Sequence, residues 1–261
     1  MKKIKTLIVD DSVIYRSQVR SALKDISFIE VVGSVSNGRF AMSKLANTDI
    51  DLMILDLEMP EMDGLETLRE LQKRKSNVSV IMLASTTQRS ADITMEALSL
   101  GAKDFVMKPG VDNLGTHDPS EKIRKLLKPK IEGLFPEKFD KIEDNIEEPN
   151  NRKFSSIHWD IFKPKVLVIG SSTGGPTALE KLFGYLKPPF HCPILITQHM
   201  PPVFTASFAG RLGKIAGITS MEAVDGLLLQ PNHIYVAPGG FHMSLKGTAR
   251  KAKTHVFFGE H

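Results

Sequence analysis

Apolar positions along the first part of the chain fall into short runs that alternate with stretches of helical spacing. Runs of four to seven mostly apolar residues are typical of buried strands, and the first four runs are each followed by an amphipathic helical pattern. This alternation predicts a parallel sheet covered by helices on both faces. The strand runs are residues 6–9, 29–35, 51–55, 78–83 and 104–107, and the helical segments are residues 12–23, 38–45, 65–73 and 91–100.

The alternation stops in the middle of the chain and returns near its end. Residues 137–153, EKFDKIEDNIEEPNNRK, are charged and contain a proline and paired asparagines, which is typical of a linker. Strand-like runs return at residues 165–170, 193–199 and 233–240, and a helical pattern lies at residues 177–186. The chain is therefore predicted to hold two α/β domains, residues 1–112 and residues 164–261, joined by a linker over residues 113–163.

Composition places the chain among ordinary globular proteins. Of its 261 residues, 41% are hydrophobic and 25% are charged, which is enough apolar mass for packed cores. A net charge of +4 is too small over this length to predict nucleic-acid binding. The chain has one cysteine, no apolar run near ~20 residues and no signal-peptide pattern at its start, so we expect a cytoplasmic protein without membrane insertion.

Charged residues stand where the predicted strands of the first domain end. The first strand is followed by Asp10 and Asp11, the third ends at Asp56, and the fifth is followed by Lys108. Because the carboxyl ends of parallel strands meet at one edge of a sheet, these side chains should converge. Three close carboxylates repel each other and predict a hard cation such as Mg²⁺, beside which one carboxylate could attack a phosphoryl group. Each residue alone could instead be a helix cap or a turn residue.

Residues 166–176 read VLVIGSSTGGP, an apolar run that breaks into serines and glycines before a helical pattern. No lysine follows the glycines, so the stretch lacks the pattern of a Walker phosphate loop, and it also lacks the glycine spacing of a dinucleotide-binding turn. It does satisfy G-x-S-x-G between a strand and a helix, the context that exposes a serine, here Ser172, as a nucleophile. The alternative is a plain loop that caps the helix.

A histidine supplies the base that a serine nucleophile needs. The next strand of the second domain ends in ITQHMPP, which places His199 at the same edge of the sheet as Ser172. A lone histidine at a strand end is often an ordinary loop residue, but beside this turn it is the best candidate for a general base among the eight histidines. Ser172 and His199 are therefore the predicted catalytic pair.

The first domain resembles the receiver domain of response regulators. The resemblance rests on LIVDDS, LDLEMPEMDGLE and DFVMKP and covers residues 4–109. It implies a flavodoxin-like, doubly wound parallel sheet in which a histidine kinase phosphorylates Asp56. It also implies that Asp10, Asp11 and Asp56 hold Mg²⁺ and that Lys108 contacts the phosphoryl group.

Two further features of the receiver follow from the resemblance. The backbone carbonyl of Glu58 would be another metal ligand. Receivers usually place Ser or Thr at the end of the fourth strand, where the hydroxyl binds a phosphoryl oxygen. In this chain that position falls on Ala84 without a gap, or on Ser85 with a shift of one residue. Both alignments stay open at this point.

The second domain resembles the catalytic domain of the chemotaxis protein-glutamate methylesterase family. The resemblance rests on VIGSSTGGP, ITQHMPPVF and AVDGLLLQPNHIYVAPGGFHM. It implies an incomplete, Rossmann-like three-layer α/β domain in which Ser172 attacks glutamate γ-methyl esters of methyl-accepting chemoreceptors, with His199 as general base and no cofactor. Methanol is the implied product, and receptor glutamines could be deamidated at the same site. His242 would lie near this site without belonging to a catalytic triad.

One part of the family's pattern is missing from the sequence. The family takes its third triad residue from an aspartate in a downstream GM-G-x-D-G segment that this chain does not reach, and Asp225 belongs to a different segment. Without that acid, His199 loses the group that fixes its tautomer and stabilises its charged form. We therefore expect either a fragment of a longer chain or a shortened variant without activity.

Three functions are compatible with the sequence. The leading hypothesis is a phosphorylation-activated methylesterase of bacterial chemotaxis, with a histidine kinase and chemoreceptors as partners. The alternative is a catalytically inactive, truncated response regulator that acts as a binding module or phosphate sink. The third hypothesis, a DNA-binding output, is disfavoured because the second half contains no helix-turn-helix pattern.

Overall fold

The structure of the chain, a computed structural model, describes residues 3–109, 118–138, 164–248 and 251–259. Its first domain contains a five-stranded parallel sheet and five helices. The strands are β1 (Ile4–Val9), β2 (Ile29–Val35), β3 (Leu52–Asp56), β4 (Ser79–Ala84) and β5 (Asp104–Met107). The helices are α1 (Val13–Lys24), α2 (Gly38–Leu45), α3 (Gly64–Lys73), α4 (Gln88–Ser99) and α5 (Pro119–Leu134). The strand order β2-β1-β3-β4-β5 confirms the flavodoxin-like arrangement.

Burial and capping explain where the strands and helices of the first domain begin. β3, with the sequence LMILD, is buried at all five positions, as expected for a central strand that is covered on both faces. The side chains of Ser12, Asn37 and Thr87 accept hydrogen bonds from backbone N–H groups in the first turns of α1, α2 and α4. Asp63 and Glu66 form a capping box at the start of α3. Helices α1 to α4 each follow a strand of the parallel sheet, so they start on the side of its carboxyl edge, where the charged residues lie.

In the structure, the first domain extends further along the chain than predicted, so the linker begins later. Residues 119–134, within the range 113–163 assigned to the linker, form α5, which packs against α1. Ile123, Leu127 and Ile131 are fully buried in the core of the first domain. Their four-residue spacing is a helical signal, but the lysines and prolines around it give the segment the composition of a linker. The first domain thus continues through α5, and residues 139–163 of the predicted linker lie outside the described residues.

The second domain is also α/β, as predicted. Its strands are β6 (Leu167–Ser171), β7 (Ile194–Gln198), β8 (Thr219–Glu222) and β9 (His233–Val236), and its helices are α6 (Gly175–Tyr185) and α7 (Pro202–Ala216). The four strands form a parallel sheet in the order β6-β7-β9-β8. Strands β10 (His242–Thr248) and β11 (Lys251–Phe257) form an antiparallel hairpin. The sequence analysis did not predict α7, β8 or this hairpin. None of the helices in the described ranges is both long and apolar enough to span a bilayer.

The two domains pack against each other through α4 of the first and α6 and α7 of the second. Phe105 on β5 and Phe204 on α7 are buried, with ring centroids 4.3 Å apart. At the rim of this contact, the Ser207 hydroxyl donates to Asp92 at 2.7 Å and accepts from the Gln88 amide at 2.7 Å. The aromatic pair makes the apolar cores of the two domains continuous.

Candidate functional site

Four charged side chains converge at the carboxyl edge of the first sheet, and we call them the acidic site: Asp10, Asp11, Asp56 and Lys108. A carboxylate oxygen from each aspartate lies within 4.8 Å of the others. The Lys108 ammonium lies 2.8 Å from Asp10 Oδ2 and 2.6 Å from Asp56 Oδ2. Asp10 and Asp56 are buried, whereas Asp11 is exposed. The structure thus brings together all four residues that the sequence predicted at this edge.

Backbone contacts hold the two buried carboxylates of the acidic site in place. Asp10 Oδ1 accepts a hydrogen bond from the Ser12 N–H group at 2.9 Å, and Asp56 Oδ1 accepts one from the Leu57 N–H group at 2.8 Å. At the start of α3, a Cβ atom on Gly64 would lie 2.4 Å from the carbonyl oxygen of Asp56. Glycine is therefore required there for α3 to approach the end of β3.

Burial and charge together set the protonation of the acidic site. Burial raises the pKa of Asp56 to about 6, because desolvation and the charge of Asp10 outweigh the opposing effects of Lys108 and of the Leu57 N–H group. Burial acts to lower the pKa of Lys108, but the two carboxylates that contact it outweigh burial, so its pKa lies above the ordinary value. Lys108 therefore stays charged at neutral pH, and Asp56 keeps its proton to a higher pH than an ordinary aspartate.

The donor set of the acidic site fits a hard divalent cation. When all groups are ionised, three carboxylates and one ammonium leave two net negative charges at this edge. Asp11 and Glu58 line an open cleft there. Carboxylate and carbonyl oxygens are the ligands that Mg²⁺ prefers in proteins. The residues present therefore fit an Mg²⁺ ion, and Asp10, Asp11 and Asp56 are the carboxylates that could hold it.

The end of the fourth strand carries Ala84 inside the sheet and Ser85 just outside it. Ala84 is fully buried, and its carbonyl accepts a hydrogen bond from the Lys108 backbone N–H group at 2.8 Å. The Ser85 hydroxyl lies 3.4 Å from the hydroxyl of Thr87, which caps α4. β4 therefore ends with the methyl side chain of Ala84, and the Ser85 hydroxyl that follows contacts the residue that caps α4.

Tyr15 of α1 belongs to this neighbourhood, and the sequence analysis missed it. The Lys108 ammonium lies 4.8 Å from the centroid of the Tyr15 ring, within the range of a cation–π contact. The Tyr15 hydroxyl is buried and has no hydrogen-bond partner among the described residues. Burial, and then the charges of Asp10 and Asp56, raise the pKa of Tyr15 above its ordinary value. A tyrosine in a predicted amphipathic helix carries no sequence signal for such a position, because only the fold places it beside Lys108.

The glycine-serine turn joins β6 to α6 at the carboxyl edge of the second sheet. Ser171 ends β6, Ser172 is exposed, and α6 begins at Gly175. The left-handed conformation of the turn falls on Gly174, with φ of +72°, and not on Ser172. A nucleophile elbow would place the strain on the serine itself. The turn is therefore a helix-entry loop rather than a strained elbow, although it still presents Ser172 to solvent.

His199 follows β7 directly and lies beside the Ser172 turn. Ser171 and Gln198 are paired in the parallel register of β6 and β7, and the His199 N–H group donates to the Ser171 carbonyl at 3.0 Å. Ser172 and His199, which we call the serine site, are thus the residues that follow two neighbouring strands, and both are exposed. Within the described residues, the Ser172 hydroxyl and the His199 ring form no hydrogen bond with each other.

Gln198, the last residue of β7, connects the two halves of the serine site, and sequence reasoning missed it. Its side chain is buried, and Oε1 accepts a hydrogen bond from the Ser171 hydroxyl at 2.6 Å. Nε2 donates to the carbonyl oxygens of Ser172 at 2.9 Å and of His199 at 3.2 Å. A polar residue at the end of an apolar strand, just before the candidate base, was the available signal.

Asp225 does not contact the serine site. Its Oδ1 atom lies 3.0 Å from Nδ1 of His255 and accepts a hydrogen bond from the Val256 N–H group at 2.9 Å. These contacts, with that of His255 as the larger, lower the pKa of Asp225. The carboxylate therefore pairs with His255 on β11 rather than with His199, in agreement with its exclusion from the triad position.

The segment APGGFHM, residues 237–243, lies against the chain that follows His199. A Cβ atom on Gly239 would lie 2.4 Å from the carbonyl oxygen of Met200, so the two backbones are in direct contact. His242 stands further along, at the start of β10, with its ring centroid 5.4 Å from that of Phe257. Glycine at position 239 therefore allows this segment to pack beside the serine site.

Family comparisons agree with this division into an acidic site and a serine site. The response regulator receiver domain family matches residues 6–116, and the CheB methylesterase family matches residues 167–259. A phosphoacceptor domain joined to a hydrolase domain defines a response regulator with an enzymatic output.

Relatives that match nearly the whole chain identify the family more closely. The protein-glutamate methylesterase/protein-glutamine glutaminase of Trichodesmium erythraeum is 40% identical over 249 residues, which cover 94% of this chain and 70% of that protein. The protein of the same name from Nocardioides sp. is 38% identical over 261 residues, which cover 98% of this chain and 70% of that protein. The chain belongs to the protein-glutamate methylesterase/protein-glutamine glutaminase family.

A solved structure matches the second domain. The CheB methylesterase catalytic domain of Thermotoga maritima is 41% identical to the matched part, with a TM-score of 0.36, and the match covers 38% of this chain and 52% of that one. The chain thus spans about half of that catalytic domain, compared with 70% of the two relatives above.

Proposed function

We propose that this chain is a phosphorylation-activated methylesterase that removes methyl groups from glutamate side chains of chemoreceptors in the cytoplasm. The observation that carries the proposal is that two exposed residues, Ser172 and His199, directly follow neighbouring strands of one domain. That domain packs against a receiver. Receptor glutamines would be a second substrate, because an amide carbonyl can be attacked by the same serine.

The proposed hydrolysis uses the serine site in two steps. His199 accepts the proton of Ser172 as the hydroxyl oxygen attacks the ester carbonyl, and the C–O bond to the methoxy group then breaks. His199 returns the proton to the leaving oxygen, so that methanol departs and an acyl-serine remains. Water, deprotonated by His199, attacks the acyl carbonyl. The bond to Ser172 Oγ then breaks as His199 returns the proton to that oxygen, which releases the free glutamate and restores both residues.

The proposed phosphorylation uses the acidic site. When bound, Mg²⁺ would be held by Asp10, Asp11 and Asp56 and would offset the negative charge at this edge. An Asp56 carboxylate oxygen attacks the phosphorus of a phosphohistidine on the partner kinase, and the P–N bond breaks as the P–O bond forms. Lys108, already 2.6 Å from Asp56, would then contact the phosphoryl group.

The contacts between the domains support a coupling of the two sites. Phe105, which contacts Phe204 of the second domain, lies on the strand that leads directly to Lys108. A Cβ atom on Gly133 of α5 would lie 3.4 Å from Cγ2 of Thr173, so the receiver lies against the residue that follows Ser172. We propose that this contact restricts access of receptor to the serine site and that phosphorylation of Asp56 loosens it.

Methanol release from methylated chemoreceptor tests the proposal. The 261-residue chain is incubated with receptor, with and without acetyl phosphate and Mg²⁺, beside a Ser172→Ala variant. We expect release that requires Ser172 and increases with the phosphodonor, and we expect Asp56→Ala to abolish that increase. Release that persists in Ser172→Ala would contradict the assigned nucleophile, and an unchanged increase in Asp56→Ala would contradict the assigned phosphoacceptor.

One observation favours a second candidate function, a catalytically inactive binding module or phosphate sink. Within the described residues, no carboxylate forms an ion pair or hydrogen bond with the His199 ring. A histidine base without an acid partner loses much of its rate contribution. The same assay separates the two functions, because a phosphate sink would label Asp56 with phosphate and release no methanol.

A further inference from the structure

We propose that Gln198 is a positioning residue of the serine site and that its side-chain amide sets the spacing between Ser172 and His199. The inference rests on the methylesterase function proposed above. Gln198 contacts no reacting atom, and its side chain is buried beneath the two exposed residues. It acts through the backbone carbonyls of both.

The hydrogen-bond partners define the orientation of this amide. The carbonyl oxygens of Ser172 and His199 can only accept hydrogen bonds, so the NH₂ group must face them. Oε1 then faces the Ser171 hydroxyl, which is free to donate. A flipped amide would place an acceptor against two acceptors in a buried location, which is costly. A single planar group therefore connects the loop that carries the nucleophile to the loop that carries the base.

The amide is closely packed against the start of α6. A Cβ atom on Gly175, the first residue of α6, would lie 2.1 Å from Oε1 of Gln198 and 2.8 Å from Cβ of Ser171. The amide is thus enclosed between the end of β7 and the start of α6. We infer that, enclosed in this way, the amide holds the carbonyl groups of Ser172 and His199 at a constant separation.

This backbone connection matters because the two functional side chains do not hold each other. The Ser172 hydroxyl and the His199 ring form no hydrogen bond within the described residues. Catalytic groups must be kept close to the productive geometry by the residues around them, and displacements of about 1 Å can cost about 100-fold in rate. The Gln198 amide supplies this support from beneath, in addition to the hydrogen bond from the His199 N–H group to the Ser171 carbonyl.

Three variants test the role of the amide in the methanol-release assay. Gln198→Met keeps the length of the side chain and removes both N–H donors, and we expect kcat to fall about 10- to 100-fold while KM stays within about twofold. Ser171→Ala is the matched control, since it removes the Oε1 contact and keeps both carbonyl contacts, and we expect a loss of about threefold or less. Thermal unfolding of each variant shows whether the second domain stays folded.

Gln198→Glu supplies a readout that general destabilisation would not produce. An ionised carboxylate would face two carbonyl oxygens and donate to neither, whereas the protonated acid can donate to one. We therefore expect the ratio of the kcat of Gln198→Glu to that of the wild type to rise as the pH falls.

The outcomes separate this inference from the proposed function. No Ser172-dependent release from the wild type would overturn both. Release from the wild type, with kcat of Gln198→Met within about threefold of it, would overturn the positioning role and leave the methylesterase function standing. A loss in Ser171→Ala as large as in Gln198→Met would also overturn it, because the carbonyl contacts would then not be the decisive ones.

Discussion

The acidic site of the receiver is held together side chain to side chain, whereas the serine site of the second domain is held together through its backbone. Lys108 contacts two buried carboxylates directly, at 2.8 Å and 2.6 Å. Ser172 and His199 are both exposed, and a buried amide holds their carbonyl groups. The two sites occupy equivalent edges of similar parallel sheets, yet their functional atoms are placed by different means.

The difference matches the function proposed for each site. Charges that contact each other in a buried location respond strongly when a cation or a phosphoryl group is added, because the balance among them changes. A nucleophile and base need a constant separation, which a neutral and closely packed amide can maintain. We therefore expect charge changes to dominate at the acidic site and changes of shape to dominate at the serine site.

The largest effect is expected for Lys108→Met. Removing the cation leaves Asp10 and Asp56 buried and uncompensated, so we expect a loss of about 3–5 kcal/mol in the free energy of unfolding at neutral pH. The loss should shrink when Mg²⁺ is added, because the metal replaces the missing positive charge. Urea unfolding with and without Mg²⁺ measures both effects.

Lys130→Met is the matched control for this variant. Lys130 is as exposed as Lys108, at 24% against 23%, but it contacts the single carboxylate of Asp104. We expect a smaller loss that Mg²⁺ does not reduce. Equal losses in the two variants, both insensitive to Mg²⁺, would show that the charges of the acidic site are not coupled as described.

An intermediate effect is expected for Gly175→Ala at the serine site. The added methyl group would meet the Gln198 amide and the Ser171 side chain, and overpacking of this kind costs about 1–3 kcal/mol. Gly170→Ala is the control, since a Cβ atom at Gly170 has no neighbour within 4 Å. Thermal unfolding compares the two, and equal melting temperatures would contradict the close packing around the amide.

An effect of comparable size but of opposite sign is expected for Asp56→Asn. The pKa of Asp56 is raised to about 6 from an ordinary value near 4, so the folded state holds its proton more firmly than the unfolded state does. As the pH rises through that interval, ionisation of Asp56 lowers the stability of the wild type. Without Mg²⁺, we therefore expect Asp56→Asn to be more stable by about 2–3 kcal/mol at pH 7 and no more stable below about pH 4.

Addition of Mg²⁺ sharpens this last comparison. The metal should stabilise the wild type at pH 7 and stabilise Asp56→Asn much less, so that the difference between them narrows. Unfolding curves at pH 4, 5.5 and 7, each with and without Mg²⁺, provide the measurement. A variant that is less stable than the wild type at pH 7 without Mg²⁺ would contradict the raised pKa.

The sequence was most informative where function lies at strand ends. Asp10, Asp56 and Lys108 could be placed together because each follows or ends an apolar run and parallel strands finish at one edge. The same reasoning placed Ser172 beside His199. In both cases the strand pattern predicts where the residues lie, and the residue types predict the chemistry.

Residues whose role depends on packing across the fold could not be found in this way. Tyr15 lies beside Lys108 only because the fold brings α1 next to the residue that follows β5, and nothing in the local sequence reports that contact. The Gln198 amide is important because it donates to the carbonyl groups of Ser172 and His199. Ser172 lies in the loop that follows a different strand, β6. The helix α5 was hidden for another reason, since its buried positions stand among lysines and prolines that are typical of linkers.

The rim between the domains has a consequence for how the protein responds to its surroundings. The Ser207 hydroxyl of α7 contacts both Gln88 and Asp92 of α4, and the Ser99 hydroxyl donates to Glu180 across the same boundary. A hydroxyl group therefore takes part in each of these polar contacts. The ion pairs formed between described residues all lie within one domain or the other. Salt screens contacts between opposite charges far more than it weakens hydrogen bonds to hydroxyl groups. We therefore expect the contact between the two domains to depend little on the ionic strength of the cell.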